Sequence, residues 1–157
     1  MKKVKFFENA KLLNDKFGII PLIYGSMGLE YITDENLNAD DIDILIPGIF
    51  VTERWDEFNN FLKSEGYVLI DEHEHTFEKN NFLYSYACLE ELKSFADIET
   101  ADIEQRCVDG VKFRVLSLTQ YLKVYRASAK DGYRINVREK KDNDKIALIE
   151  KRLKVKG

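Results

Sequence analysis

The sequence has few cysteines, no long apolar run and no internal repeat. Its two cysteines, Cys88 and Cys107, lie far apart and fit neither a metal-binding spacing nor a disulfide framework. No stretch approaches the ~18 consecutive apolar residues of a membrane-spanning helix. Charged and polar residues near the amino terminus interrupt any signal-peptide core. We therefore expect a reduced, cytoplasmic protein without a membrane partner.

The composition is that of an ordinary globular protein. Of the 157 residues, 45% are hydrophobic and 33% are charged. A chain of this length can bury a sizeable core without disulfides or metals. The length therefore predicts a single domain over residues 1–157.

The net charge of −4 hides an asymmetry along the chain. Residues 1–111 contain 10 Lys and Arg against 23 Asp and Glu, a net charge of −13. Residues 112–157 contain 14 against 5, a net charge of +9. The basic part is either a solvated helical tail or a surface that faces a polyphosphate.

A glycine and a serine end the first strongly apolar run of the chain. Residues 19–24 (IIPLIY) are followed by Gly25 and Ser26 and then by residues 27–32 (MGLEYI). This pattern predicts a buried strand, a turn and a short helix. The free backbone N–H groups and the positive dipole at the start of such a helix would suit phosphate oxygens.

Two aspartates interrupt the next aliphatic run, residues 41–46 (DIDILI). Aspartate is depleted from strands, and side chains two residues apart on a strand share a face. Asp41 and Asp43 should therefore point the same way, while Ile42, Ile44 and Ile46 enter the core. Two neighbouring carboxylates repel each other unless a cation lies between them, and hard oxygen ligands suit Mg²⁺.

These motifs resemble the signature of the nucleotidyltransferase superfamily, which has the DNA polymerase β-like fold. The resemblance extends through strand-like residues 112–117, a helix with Lys123 and a late Lys–Asp pair, as in small bacterial stand-alone members. It implies an α+β fold with a mixed β-sheet flanked by helices. It also implies that Gly25 and Ser26 grip the phosphates, that Asp41 and Asp43 hold two divalent metals, and that Lys123 is a candidate phosphate contact.

The sequence departs from the family pattern at one position. The family usually places a third carboxylate on a strand beside the acid pair, where this chain has Ser85 within residues 83–87 (LYSYA). Glu78, Glu90 and Asp97 are the substitutes that the sequence offers without choosing among them; in the hairpin, Glu78 could face the pair across adjacent strands. The departure makes a weakened or lost activity a real alternative.

Two arginines in the basic part are further candidates for binding the nucleotide. Arg134 and Arg138 are four residues apart, so they would share one face of a helix. Arginine suits bidentate contact with phosphate, and ordinary pairing with the acidic part of the chain is the alternative.

Two other patterns bear on the structure around the acids. Thr52 is a good N-cap for a helix that ends at Ser64. Residues 71–88 suggest a hairpin with a turn at residues 79–81, in which His73 and His75 would share a strand face. Two such histidines on an acidic edge are more often solvated than metal-bound.

The sequence thus predicts a Mg²⁺-dependent (or Mn²⁺-dependent) nucleotidyltransferase that acts on a nucleoside triphosphate. The acceptor hydroxyl would belong to a small molecule, a protein or a tRNA end; the nucleotide and the oligomeric state are left open. One alternative is a non-catalytic nucleotide- or partner-binding module on the same fold. The other is an RNA-binding protein that uses the basic part, although the aromatic residues there follow a core stripe.

Overall fold

The computed structural model describes residues 2–39, 41–129 and 135–156; for residues 135–142, 155 and 156 it describes the backbone alone. The α-helices are α1 (Lys2–Phe17), α2 (Gly25–Thr33), α3 (Trp55–Ser64), α4 (Glu91–Ala96), α5 (Leu118–Ala129) and α6 (Ile135–Lys156). The strands are β1 (Leu22–Tyr24), β2 (Ile42–Ile46), β3 (Val68–Asp71), β4 (Thr76–Lys79), β5 (Phe82–Cys88), β6 (Glu104–Val108) and β7 (Val111–Val115). Short 3₁₀ turns occur at Gly48–Val51 and Thr100–Asp102.

The strands of the described residues form one seven-stranded sheet in the order β3-β4-β5-β2-β1-β7-β6. The pairs β2–β5 and β1–β7 are parallel and the other pairs are antiparallel. The predicted mixed sheet with flanking helices is therefore confirmed. The prediction that residues 1–157 form a single domain stays a prediction.

Apolar side chains pack on both faces of the sheet. On one face, the three isoleucines of β2 are buried with Phe6 of α1 and Phe58 of α3, as the alternation in β2 predicts. On the other face, Leu45 of β2 is buried with Tyr121 of α5 and Ile149 of α6. Asp43 shares the face of Leu45, so it points to the side that α5 and α6 cover only in part.

Two local predictions are wrong. Helix α3 begins at Trp55 and not after Thr52, because Thr52 closes the preceding 3₁₀ turn by donating to the Gly48 carbonyl oxygen at 2.9 Å. His73 and His75 lie in the turn between β3 and β4, so they do not share a strand face. No helix in the described part of the chain is both long enough and apolar enough to cross a membrane.

Candidate active site

The glycine–serine turn lies where β1 ends and α2 begins. Gly25 has a φ of +61°, in a backbone region that residues other than glycine seldom adopt. A Cβ built on Gly25 would lie 2.5 Å from Oδ2 of Asp43, which is far closer than atoms can pack. Glycine is therefore required here both by the turn and by the neighbouring carboxylate.

The register of the strands brings Asp43 to this turn. Because β1 and β2 are antiparallel neighbours, Tyr24 pairs with Asp43. On its other side Asp43 pairs with Ser85 of the parallel strand β5. Asp41 is exposed and Asp43 is partly buried, and both line the same cleft as Ser26. The structure thus unites the two motifs that are 15 residues apart in the sequence.

Two adjoining cavities open beside the aspartates. They have volumes of about 570 and 690 Å³, which are in the range of small-molecule sites. Four residues line both: Ser26, Asp41, Asp43 and Lys145. The smaller cavity is bordered by the connector before β2 and by α6, and the larger one extends along the sheet face toward β5 and α4.

Lys145 of α6 is a residue that sequence reasoning missed. Its Nζ donates a hydrogen bond to Ser26 Oγ at 2.8 Å and lies 5.0 Å from the centre of the Tyr125 ring. The bond to Ser26 places a positive charge at the start of α2, beside the backbone donors of the helix. A signal was present in the sequence, since Lys145 lies one helical turn before Ile149 and so shares the face of a buried residue.

Tyr121 of α5 holds the turn from beneath. Its buried hydroxyl lies 3.3 Å from the carbonyl oxygens of Ile23 and Gly25 and donates to them. Burial raises the pKa of Tyr121 well above its usual value, so the hydroxyl keeps its proton. A Cβ on Gly28 would overlap this hydroxyl, so α2 and α5 approach closely at that point.

Of the other predicted phosphate contacts, Lys123 is the one whose side chain the structure describes, and it stands apart from this cleft. Lys123 is exposed, donates to the Asp97 carbonyl oxygen at 3.2 Å, and is not among the described residues that line either cavity. Arg134 lies outside the described residues. Arg138 falls within α6, but its side chain also lies outside the described part.

Ser85 lies on the strand beside the acid pair, β5. It pairs with Asp43 on one side and with Thr76 of β4 on the other. The Ser85 and Thr76 hydroxyl oxygens lie 2.8 Å apart and form a hydrogen bond. The prediction that Ser85 lies on a strand beside the acid pair is therefore confirmed, and the sheet presents two hydroxyl groups next to Asp43.

None of the three proposed substitutes lies in the described cleft. Glu78 is on β4, so strand β5 separates it from β2 and the expectation that it faces the pair across adjacent strands is wrong. Glu90 accepts hydrogen bonds from the Gly48 N–H and the Cys88 thiol; although desolvation opposes it, backbone hydrogen bonds lower the pKa of Glu90. Hydrogen bonding from Lys93 lowers the pKa of Asp97, which is paired with that lysine at 2.8 Å.

The carboxylate pair fits a magnesium ion whose other coordination positions are filled by water and substrate oxygens. Two aspartate side chains supply hard oxygen ligands at an open cleft, and Gly25 leaves room for the Asp43 carboxylate. Among the described residues, no group of three His, Cys, Asp or Glu is placed to hold a metal. Magnesium is commonly bound through one or two carboxylates with waters and substrate phosphates, so this donor set is compatible with it.

Comparison with known proteins gives a sequence relative and two structural neighbours. The chain is 40% identical over 147 residues to "Uncharacterized protein YnaI" of Bacillus subtilis (strain 168), and the match covers 94% of each chain. No family model matches the chain.

Both structural neighbours are structures of the nucleotidyltransferase ANT(2")-Ia. The crystal structure in complex with adenylyl-2"-tobramycin has a TM-score of 0.61 at 16% identity, covering 98% of this chain and 90% of that chain. The solution structure of this antibiotic-resistance factor has a TM-score of 0.57 at 13% identity, covering 99% and 92%. At these identities the likeness establishes the fold, and the predicted nucleotidyltransferase fold is confirmed.

Proposed function

Because this chain belongs to the same family as Bacillus subtilis YnaI and has the nucleotidyltransferase fold, we propose that it transfers a nucleoside monophosphate from a nucleoside triphosphate to an acceptor hydroxyl. The observation that carries the proposal is the convergence of Ser26, Asp41, Asp43 and Lys145 on one cleft. A helix start and a lysine suit phosphates, and a carboxylate pair suits Mg²⁺ or Mn²⁺.

In the proposed reaction, the acceptor oxygen bonds to the α-phosphorus while the bond from that phosphorus to the pyrophosphate oxygen breaks. The hydroxyl proton is released to water in the open cleft, and pyrophosphate leaves. Asp41 and Asp43 would hold the metal, which would neutralise phosphate charge and activate the attacking oxygen when bound. The chain's own contribution is positioning and electrostatics, as is usual in phosphoryl transfer.

Each residue at the turn has a defined task. Gly25 leaves space for the Asp43 carboxylate, and the first N–H groups of α2 bind phosphate oxygens together with the Ser26 hydroxyl. Lys145 adds a cation at the same point, held by Ser26 and the Tyr125 ring. Tyr121 keeps the turn in place through two carbonyl oxygens.

The experiment is a screen of the four nucleoside triphosphates for pyrophosphate release with Mg²⁺ or Mn²⁺, with cell extract as the source of acceptors. ATP is tested first, since the structural neighbour was solved with an adenylyl product. We expect turnover with at least one triphosphate and a loss of 100-fold or more, about 2.7 kcal/mol, in Asp43→Asn. Glu78→Gln is the matched control, because Glu78 shares the sheet face but does not line the cavities.

The hydroxyl pair at Ser85 and Thr76 favours one alternative, a binding module that holds the triphosphate without turning it over. Metal-dependent stabilisation of the fold by ATP, lost in Asp43→Asn, together with no pyrophosphate release from any triphosphate, would support that module and reject the enzyme. Binding of RNA without dependence on a metal would reject both.

A further inference from the structure

The two cavities beside the aspartates extend in different directions from the residues that they share. The larger one follows the sheet face toward β5 and α4. The smaller one opens between the connector that precedes β2 and the helix α6. A transferase needs separate space for the nucleoside and for the acceptor, because both must reach the same α-phosphorus. The walls of each cavity therefore indicate which of the two molecules it holds.

The walls of the smaller cavity are largely aliphatic. Ile149 and Leu153 of α6 pack into the core, whereas Leu148 of the same helix is partly exposed and lines the cavity. Small-molecule sites usually combine apolar walls with a few polar groups, and such walls suit the flat faces of a nucleobase. Besides the four shared residues, the lining consists of Leu37, Asn38, Ala39, Asp144 and Leu148.

The connector that forms the other wall is held in place by its own hydrogen bonds. The Ala39 N–H donates to Glu30 Oε1 at 2.9 Å, and the Asn38 N–H donates to Asn36 Oδ1 at 3.0 Å. The Asn38 side chain is exposed and makes no hydrogen bond with another described residue. Its amide offers a donor and an acceptor side by side, the pattern with which asparagine binds adenine through two hydrogen bonds.

The charges around the smaller cavity favour the uncharged end of a nucleotide. Asp144 is exposed and adds a third carboxylate to the lining, beside Asp41 and Asp43. Lys145 is the one cation among the described residues that line this cavity, and its Nζ is directed to Ser26 at the start of α2. Like charges repel, so the region near Asp144 suits a neutral base better than phosphate groups.

We propose that the smaller cavity binds the nucleobase, with Leu37 and Leu148 in contact with the ring and Asn38 at its edge, and that adenine is the preferred base. The inference rests on the proposed function, because it assigns a position to the nucleoside of the same triphosphate. The triphosphate remains at the start of α2, and the larger cavity is left to the acceptor.

The first test compares ATP with inorganic tripolyphosphate, which has the phosphates but no base, each titrated with Mg²⁺ by calorimetry. We expect Leu148→Ala to bind ATP about tenfold more weakly, because apolar contact with the base is lost, and to bind tripolyphosphate as the wild type does. Leu153→Ala is the matched control, since it shortens a leucine of the same helix that lines neither cavity. It should bind both ligands normally.

The second test addresses the edge of the base. Purine riboside triphosphate lacks the 6-amino group of ATP, so it can make only one of the two hydrogen bonds to an asparagine. We expect the wild type to prefer ATP about tenfold, which is within the range for a well-placed pair of hydrogen bonds. Asn38→Gly should abolish this preference without affecting tripolyphosphate. Glycine is chosen because Asn38 has a φ of +54°, which glycine adopts without strain.

The outcomes separate this inference from the proposed function. Wild-type affinity for ATP no higher than for tripolyphosphate, or equal losses in Leu148→Ala and Leu153→Ala, overturns the inference and leaves the phosphate site standing. A loss of ATP affinity in Phe95→Ala but not in Leu148→Ala also overturns it, because Phe95 lines the larger cavity. Absence of binding of both ligands overturns the inference and the proposed function together. Because the readout is binding, base discrimination without pyrophosphate release supports the inference and rejects the enzyme.

Discussion

Lys145 brings a positive charge to the glycine–serine turn. Its Nζ donates a hydrogen bond to Ser26 at the start of α2 and lies over the Tyr125 ring of α5. A cation at this point can bind phosphate oxygens together with the helix N–H groups. At the residue scale, we therefore expect Lys145 to account for more of the triphosphate affinity than Lys123.

Replacing Lys145 with methionine removes the charge and keeps a long apolar side chain. We expect ATP with Mg²⁺ to bind about 10- to 100-fold more weakly, because a hydrogen bond to a charged group contributes about 1.5–3 kcal/mol. Isothermal titration calorimetry measures the change. Lys123→Met is the matched control and should bind as the wild type does, since Lys123 contacts Asp97 away from the cleft. Equal losses in the two variants would show that Lys145 has no special role.

Individual site residues differ in how far the sequence could predict them. The sequence predicts that Asp41 and Asp43 are site residues, because aspartate within an aliphatic run conflicts with strand preferences. The sequence also predicts a turn at Gly25, but the contact of Gly25 with Asp43 depends on the register of the strands. Lys145 is not identified from the sequence, because it reaches the cleft through the packing of α6 against elements that are distant in the sequence.

At the scale of elements, α5 supports the turn between β1 and α2. Tyr121 donates to two carbonyl oxygens of that turn, and its ring stacks on Tyr125, which in turn lies under Lys145. One helix thus positions both the backbone donors and the cation. The spacing of the aromatic residues in the basic part predicts that Tyr121 and Tyr125 face the core, as they do. Periodicity carries no information about which carbonyl groups a buried hydroxyl meets.

Tyr121→Phe tests this support. Loss of the buried hydroxyl should cost about 1 kcal/mol, or about 2–4 °C in melting temperature for a chain of this size. A loosened turn should also weaken the binding of ATP with Mg²⁺, measured by calorimetry. Tyr67→Phe is the control: it loses a buried hydrogen bond from Asn9 Nδ2 of 3.0 Å, and Tyr67 is not among the described residues that line the two cavities. Normal ATP affinity in Tyr121→Phe would show that the turn is rigid without α5.

At the scale of the whole molecule, ordinary ion pairs neutralise part of the charge asymmetry between the acidic and basic parts of the chain. Arg152 of α6 pairs with Glu35 at 2.6 Å, which joins the basic part of the chain to the acidic part. Arg126 and Glu150 pair within the basic part, between α5 and α6. The sequence predicts the charge asymmetry, but it does not predict which basic side chains form ion pairs and which face the cleft. That depends on how α6 packs.

The buried tyrosines make the stability of the fold depend on pH under alkaline conditions. Burial raises the pKa of Tyr67, Tyr84, Tyr86 and Tyr121 above the ordinary value of about 10. Three of them form one cluster, in which Asn9 Nδ2 donates to the hydroxyl oxygens of Tyr67 and Tyr86. The fold therefore retains protons that the unfolded chain releases at high pH.

The free energy of unfolding should accordingly be unaffected by these groups below about pH 10 and should fall above it. Where the unfolded chain binds fewer protons than the native state, stability decreases with pH, by up to about 1.4 kcal/mol per pH unit for each tyrosine that stays protonated. Urea unfolding at pH 8, 10 and 11 measures this decline. Tyr86→Phe should be less stable at pH 8 but decline less steeply, because one retained proton is gone.

Absorbance of tyrosinate should rise in two phases, the first from exposed tyrosines in the folded state and the second together with unfolding. A single phase near pH 10 with the fold intact would contradict the burial of these hydroxyl groups, since each would then ionise as it does in water.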